Sequence, residues 1–455
     1  MTESPESTGT EPSGLSRAGF KRYFKNTAWM FLGQGFQLGV GFFITVAVAR
    51  YLGPADFGIL NFHWAVVVIL GVLANLGLTN VLTRELVDRA AEKEKLIGTS
   101  FIMMFLAGGF IYLLLLGTSW TWKGSGLDMS ICIVMGLILI LNPVRVIEAW
   151  FQSQVKSKFA VITTSASFAL TALARAAFIL AGLTVVWFGA AFTIEAVLVG
   201  VLLMAFYRSQ GHSITRWNLD ASIARDLLKD SWPLVLSNFS IMIYLKIDFV
   251  FLSRISGDFA AGEYAAATRL STIWYYIPML LAQSLFPAIV KLKSESAARY
   301  RQRLQQFCDL NSIIAFCVMV PGCLLGPWLV GLVFGEGYQG GGSILSIHIL
   351  SCLFVFLGVA KTQLLISEGR TRELLACNAL GAAVNVVGNL ILIPEYGGNG
   401  AAVATLMGVG VSGVLTSFLF PLTRQIGYTQ LRACVILFRI GALKSMLEMK
   451  KDGEV

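Results

Sequence analysis

Apolar residues occur along this 455-residue chain in long blocks separated by short polar punctuation. Twelve blocks can be drawn, at approximately 27–49, 59–82, 97–117, 128–148, 159–181, 184–207, 231–253, 262–290, 307–331, 343–367, 374–394 and 400–422. A helix needs about twenty predominantly apolar residues to cross the hydrocarbon core of a bilayer, so each block predicts one spanning helix. The expected fold class is an all-α polytopic membrane protein with twelve transmembrane helices.

The punctuation divides the helices six and six. The longest polar connection, RSQGHSITRWNLDASIARDLLKD at 208–230, reads as a cytoplasmic linker between an N-lobe (27–207, spans one to six) and a C-lobe (231–422, spans seven to twelve). Asp220 is placed to cap a short amphipathic helix that uses Ile223, Leu227 and Leu228 on one side. The halves echo each other. ARYLGPADFGIL follows span one and SRISGDFAAGEY follows span seven, and Arg50, Gly53 and Gly58 have the spacing of Arg254, Gly257 and Gly262. A second echo sets SQVKSK at 153–158 against SEGRTR at 367–372. Matching loops fall on the same side at corresponding span numbers, which predicts a direct rather than an inverted repeat. The connections on the outer side hold roughly a dozen residues or fewer and leave no room for an extracytoplasmic domain.

Composition supports the membrane reading. The chain is 56% hydrophobic and 13% charged, with 31 Phe and 45 Gly, and a soluble protein of this size would carry far more surface charge. Of the 35 Lys and Arg, 28 lie in the alternate loops and termini that share one side, whereas the other side has Arg50, Lys123 and Arg254. That bias predicts cytoplasmic termini. The net charge of +9 then reflects basic loops against anionic lipid heads and implies no nucleic-acid partner. Residues 1–26 read as a polar cytoplasmic tail that turns basic from Arg17 to Lys25; the apolar run that follows is too long for a signal-peptide core. Residues 423–455 read as a second basic cytoplasmic tail, with an interfacial helix in LRACVILFRIGALKSMLEMKK. The seven cysteines show no CxxC and no matching His spacing, so they read as packing residues.

Charge inside the apolar blocks narrows the function, because intramembrane ionisable groups are costly and functional by default. Lys246 and Asp248 interrupt IMIYLKIDFVFL, and Arg175, Glu195, Arg269 and Lys361 lie in other blocks. At about 1.5 Å per residue, Arg175 lies roughly 24 Å from the inner end of span five and Lys246 roughly 22 Å into span seven. Arg269 lies about 10 Å below the outer surface, and Glu195 sits near the middle of span six. The six charges sum to +2, which predicts a water-filled, cationic cleft between the halves. Such a lining suits phosphate or pyrophosphate. Residues two apart point roughly 200° away from each other on a helix, so Lys246 and Asp248 need separate partners. The expectation is that Asp248 turns towards Arg269 and Lys246 faces the cleft.

Blander roles compete. Arg175 with Glu195, and Arg269 with Asp248, also read as salt bridges that lock helices together. Lys361, close to the inner end of span ten, reads as a snorkelling cation. His63 and His348 read as packed side chains, and Arg50 and Arg254 as anchors at the outer interface. Pro278 in span eight and Pro143 in span four are hinge candidates, with Pro287, Pro321 and Pro327 as further kink points. No GxxxxGK[ST] loop is present, so ATP is not the direct energy source.

Several stretches together resemble the Wzx-type oligosaccharide flippases: ARYLGPADFGILNF, ANLGLTNVLTRELV, EAWFQSQVKSKFAV, DSWPLVLSN, KIDFVFLSRI and GEYAAATRLSTIWYYIPMLLAQSLFPAI. The resemblance covers residues 26 to 422 and places the chain beside MATE exporters and lipid II flippases in the MOP superfamily. It implies a MATE-like V of two six-helix lobes working by alternating access. The implied cargo is an undecaprenyl-pyrophosphate-linked oligosaccharide, moved from the inner to the outer leaflet of the bacterial cytoplasmic membrane for O-antigen, capsule or exopolysaccharide assembly. A polysaccharide polymerase and chain-length machinery are the protein partners it suggests, alongside membrane lipid. Lys246, Asp248 and Arg269 fall within matching motifs, whereas Arg175 rests on the physical argument. The expected substrate-binding set is Arg175, Lys246, Arg269 and Arg50. Asp248 and Glu195 would orient those cations or carry a coupling proton or sodium ion. No catalytic residue, metal centre or cofactor is expected.

Two rivals make different demands. A MATE-like small-molecule exporter would favour acidic groups in its cavity. A polymerase, ligase or glycosyltransferase acting on the same lipid carrier would need a sizeable outer loop for catalytic residues.

Overall fold

The computed structural model describes residues 17–121 and 126–436, in which every regular element is a helix. The first sixteen residues, Lys123 and the tail beyond Ile436 lie outside the described residues. The first half contains α1 (Arg17–Ala74), α2 (Leu78–Asp88), α3 (Lys93–Thr121), α4 (Gly126–Gly136), α5 (Ile138–Leu141), α6 (Val146–Ser153), α7 (Ser157–Leu180) and α8 (Val185–Ser209). The second contains α9 (Ala221–Ile255), α10 (Asp258–Thr272), α11 (Tyr276–Glu295), α12 (Ala297–Leu324), α13 (Gly326–Phe334), α14 (Gly341–His348), α15 (Ser351–Ser367), α16 (Thr371–Gly413) and α17 (Pro421–Cys434).

Ten helical stretches among the described residues are long and apolar enough to cross a membrane. Two of them, Leu32–Ala74 and Thr371–Phe418, have 43 and 48 residues, about twice what one crossing requires. Each contains one glycine with non-helical backbone, Gly53 (φ 72, ψ 173) and Gly397 (φ 53, ψ −129). Positive φ is accessible to glycine because it has no Cβ, so the chain turns at these two points inside an otherwise continuous helical trace.

Contacts sort the connections into two ends. At the basic end Arg84 pairs with Asp230, Lys95 with Asp220 and Lys293 with Glu368, and Lys156 donates to Gln210. At the opposite end Arg50 reaches Leu332 and Val333, and Tyr51 reaches Leu183.

Lipid tails are as apolar as leucine, so helices in a bilayer associate through close approach rather than water exclusion. The sequence of α10 reflects this: Ala261, Gly262, Ala265, Ala266 and Ala267 are all buried, which lets its backbone lie close to α1. One apolar cluster crosses the halves, joining Ala49 and Phe57 of α1 to Phe249, Phe334 and Tyr338. Another lies in the first half around Leu86, Trp150 and Tyr207, and includes Ile223 and Leu227 of α9.

Asp220 caps α9 as expected, accepting hydrogen bonds from the Ser222 and Ile223 amides at 3.0 and 3.5 Å. The Ser222 hydrogen bond and Lys95 hold its carboxyl well below the usual carboxylate range. Ile223 and Leu227 are buried, whereas Leu228 is exposed. The linker helix does not stop before span seven: α9 continues through Pro233 as one 35-residue helix. Both prolines read as hinge candidates sit in or beside 3-10 turns. Pro143 lies in the 3-10 turn Asn142–Arg145, and Pro278 follows the 3-10 turn Ile273–Tyr275. Each lacks the amide that would bond the preceding turn.

Candidate functional site

A cavity of about 930 Å³ lies between the halves, walled by α1, α7 and α8 on one side and by α9, α10, α11, α15 and α16 on the other. Arg175, Glu195, Lys246 and Arg269 line it.

The first-half wall is electrically balanced. Thr171 and Arg175, four apart on α7, share a face, as do Phe192 and Glu195 on α8. Arg175 Nη2 donates to Glu195 Oε2 at 3.3 Å, and the Thr171 hydroxyl donates to the same oxygen at 3.1 Å. The Arg175 guanidinium lies 4.5 Å from the Phe192 ring centre, and Phe192 stacks on Trp64 at 4.5 Å. Arg175 is buried and Glu195 half-buried, and the pair fits the salt-bridge reading.

The second-half wall is cationic. Lys246 has no hydrogen-bond or ion-pair partner among the described residues, and its ammonium lies 5.2 Å from the Phe249 ring centre. Arg269 donates from Nη2 to the carbonyl oxygen of Gly41 on α1 at 3.3 Å, and no carboxylate pairs with it among the described residues.

The expected Asp248–Arg269 pair does not form. Asp248 is turned away from the cavity into the second half, where it is 1% exposed. Its Oδ1 accepts from Asn385 Nδ2 at 3.1 Å and Asn389 Nδ2 at 2.6 Å. Its Oδ2 accepts from the Tyr264 hydroxyl at 2.5 Å and from the Thr405 hydroxyl. The physical reason is the angular offset already noted: with Lys246 on the cavity face, a residue two further along must point inward. Asn385 and Asn389 precede the turn at Gly397 and Thr405 follows it, so the two arms of α16 enclose the carboxylate. The side-chain oxygen of Asn389 is buried without a hydrogen-bond partner. Sequence reasoning missed Tyr264, Asn385, Asn389 and Thr405. The available signal was two asparagines four apart in the apolar run LGAAVNVVGNLILI.

Lys361 does not snorkel. It is 1% exposed, and its ammonium donates to the Ser412 carbonyl and, at 2.6 Å, to the Thr416 hydroxyl. α16 ends at Gly413, so the cation meets the carbonyls and negative dipole of a helix C-terminus, which hold it inside the protein. His348 Nδ1 lies 2.8 Å from the Ser271 hydroxyl, and His63 Nδ1 lies 2.9 Å from the Ile59 carbonyl. Both are packed side chains. Arg50 is outside the cavity wall: it donates to the carbonyls of Val333 and Leu332 at 2.7 and 2.6 Å. Arg254 lies 4.6 Å from the Phe62 ring centre.

Residues 23–293 match the family described as polysaccharide biosynthesis protein. Over 417 residues the chain is 23% identical to a putative O-antigen transporter of Shigella flexneri, covering 87% of this chain and 97% of the relative. It is also 23% identical over 436 residues to a probable low-salt glycan biosynthesis flippase of Haloferax volcanii, covering 93% and 87%. Among solved structures it is similar to lipid II flippase MurJ in an inward closed conformation, with TM-score 0.71, 15% identity and 92% of each chain covered. An inward-facing multidrug resistance MATE family transporter of the MOP superfamily superposes with TM-score 0.69 at 15% identity, over 88% of this chain and 95% of that one. These similarities define a MATE-like, all-α polytopic fold. With the family match spanning more than half its length, this multi-pass membrane protein belongs to the polysaccharide biosynthesis protein family.

Proposed function

We propose that the protein is a flippase for a lipid-linked oligosaccharide, whose polar head crosses through the cavity while its polyprenyl tail stays in lipid. The observation that carries this reading is the pair Lys246 and Arg269, two cations in the cavity wall without carboxylate partners among the described residues. They suit a diphosphate, which would otherwise enter hydrocarbon unpaired. Undecaprenyl pyrophosphate is the carrier proposed, in the bacterial cytoplasmic membrane, with the basic end and both termini cytoplasmic. Counting each of the two glycine-broken stretches as two crossings gives twelve spans in two six-helix lobes, alternately open to either side. The relatives named as transporter and flippase favour transport over catalysis. A cavity with Arg175, Lys246 and Arg269 against the single carboxylate of Glu195 argues against a small-cation exporter.

Asp248 is the proposed coupling site for a proton or sodium ion. Its donor set fits: a carboxylate, two hydroxyls and two amides, one of which, Asn389, has an unpartnered oxygen. Turning the amides would present oxygen ligands, which a hard cation prefers. A polysaccharide polymerase and chain-length machinery are proposed as downstream partners.

The decisive experiment is reconstitution into proteoliposomes with an undecaprenyl-pyrophosphate-linked oligosaccharide, scoring movement between leaflets. Protein-dependent movement is expected. A folded protein that leaves the lipid in its original leaflet would overturn the reading.

A further inference from the structure

We propose that Gly58 and Gly262 form the gate closing the cavity at the end opposite the basic loops, and that Arg269 makes its opening depend on a diphosphate group. The second clause rests on the proposed use of the cavity for a diphosphate-bearing lipid; the first does not.

The joint is reciprocal. A Cβ on Gly58 would lie 1.8 Å from the Asp258 carbonyl oxygen, and a Cβ on Gly262 would lie 1.9 Å from the Pro54 carbonyl oxygen. Pro54 and Asp258 each follow a positive-φ glycine, Gly53 at 72° and Gly257 at 89°. The repeated spacing in sequence is therefore a two-fold contact in space, in which each half offers the same glycine to the same carbonyl of the other. Backbones this close exclude any side chain larger than hydrogen. Repeated arginines flank the joint: Arg50 crosses to the Leu332 and Val333 carbonyls, and Arg254 crosses to Phe62.

Arg269 lies seven residues beyond Gly262, two helical turns along the same face of α10. There its guanidinium holds the Gly41 carbonyl on α1. One helix face thus carries the gate and, further into the cavity, a cation parked on a neutral acceptor of the other half. Charged phosphate oxygens bind a guanidinium more strongly than a carbonyl does. Arrival of a diphosphate draws Arg269 away from Gly41 and removes one of the ties between α10 and α1.

The test uses Ala49→Cys as a reporter. Ala49 is fully buried in the cluster at this end, and its carbonyl accepts from the Tyr338 hydroxyl at 2.6 Å. Labelling at position 49 by a membrane-impermeant maleimide is followed in nanodiscs by peptide mass spectrometry, with and without inorganic pyrophosphate. Slow labelling is expected, accelerated roughly tenfold by pyrophosphate, the scale of one charge-assisted hydrogen bond. Arg269→Gln should label quickly in both conditions, and Arg269→Lys should restore the slow, pyrophosphate-responsive state. Gly262→Val should label quickly throughout; Arg50→Gln, a smaller perturbation at the rim, should shift labelling the same way if the valine variant fails to fold. Slow labelling in the folded glycine and Arg50 variants overturns the gate. An unchanged response in Arg269→Gln, or none in the parent, overturns the Arg269 dependence. Since no glycan lipid is used, failure of flipping with these responses intact would count against the proposed substrate and not the gate.

Discussion

The two walls of the cavity use the same residue types in opposite ways. In the first half Glu195 remains beside Arg175, and the pair is neutral towards the cavity. In the second half Asp248 is withdrawn into a nest of amides and hydroxyls, leaving Lys246 and Arg269 without a paired carboxylate among the described residues. A buried ion pair chiefly cancels its own desolvation cost. A cation separated from its carboxylate keeps its field for a ligand. Intramembrane charge alone is therefore a poor guide to binding; the separation of charge is the informative feature.

The largest effect expected from breaking this asymmetry is in the Lys246→Ala/Arg269→Ala double variant. Loss of two charge-assisted contacts should slow flipping by about a hundredfold or more in the reconstituted assay. Normal flipping by a folded double variant would remove the second-half wall from the mechanism. Asp248→Asn preserves much of the nest but not its charge. Acceleration of flipping by an imposed sodium or proton gradient should fall by about tenfold, within the range of ordinary site-to-site coupling. A retained gradient response would limit Asp248 to structure.

The balanced wall should behave differently. Arg175→Ala strands Glu195 and Glu195→Gln strands Arg175, so either single variant should be less stable than their combination. A coupling of about 0.5–3 kcal/mol is expected from thermal unfolding in detergent. Simple additivity would mean that the two side chains do not act as a pair. Smallest is Lys361→Met, which removes a buried cation along with its desolvation cost. A change within about 1–2 kcal/mol and unaltered flipping are expected; a transport defect without instability would give Lys361 a role beyond holding the end of α16.

Much of the architecture was legible because a bilayer imposes length and satisfaction rules on every crossing. The apolar blocks, the Asp220 cap and the cavity positions of Lys246 and Arg269 follow from such rules. The destination of Asp248 did not, because helical periodicity fixes relative directions on α9 but not which neighbour each direction meets. Lys361 was misread for a related reason: depth along the chain was visible, whereas the carbonyls of α16 beside it were not. The linker helix reads as set apart from span seven at residue 230, whereas the chain continues through Pro233 as one helix, since one missing amide does not end a well-supported helix.

That continuity has a mechanical consequence. At about 1.5 Å per residue, α9 is a rod of roughly 50 Å, with Ile223 and Leu227 embedded in the first half and Phe249 and Leu252 in the cluster that joins α1 to the second. A slack loop would absorb relative rotation of the halves as play. A clamped rod passes torque from one to the other, and α9 runs unbroken through Pro233. In the proposed alternating access the connection between the halves would thus act as a drive shaft, and severing it between residues 221 and 230 should uncouple motions that both halves could still make separately.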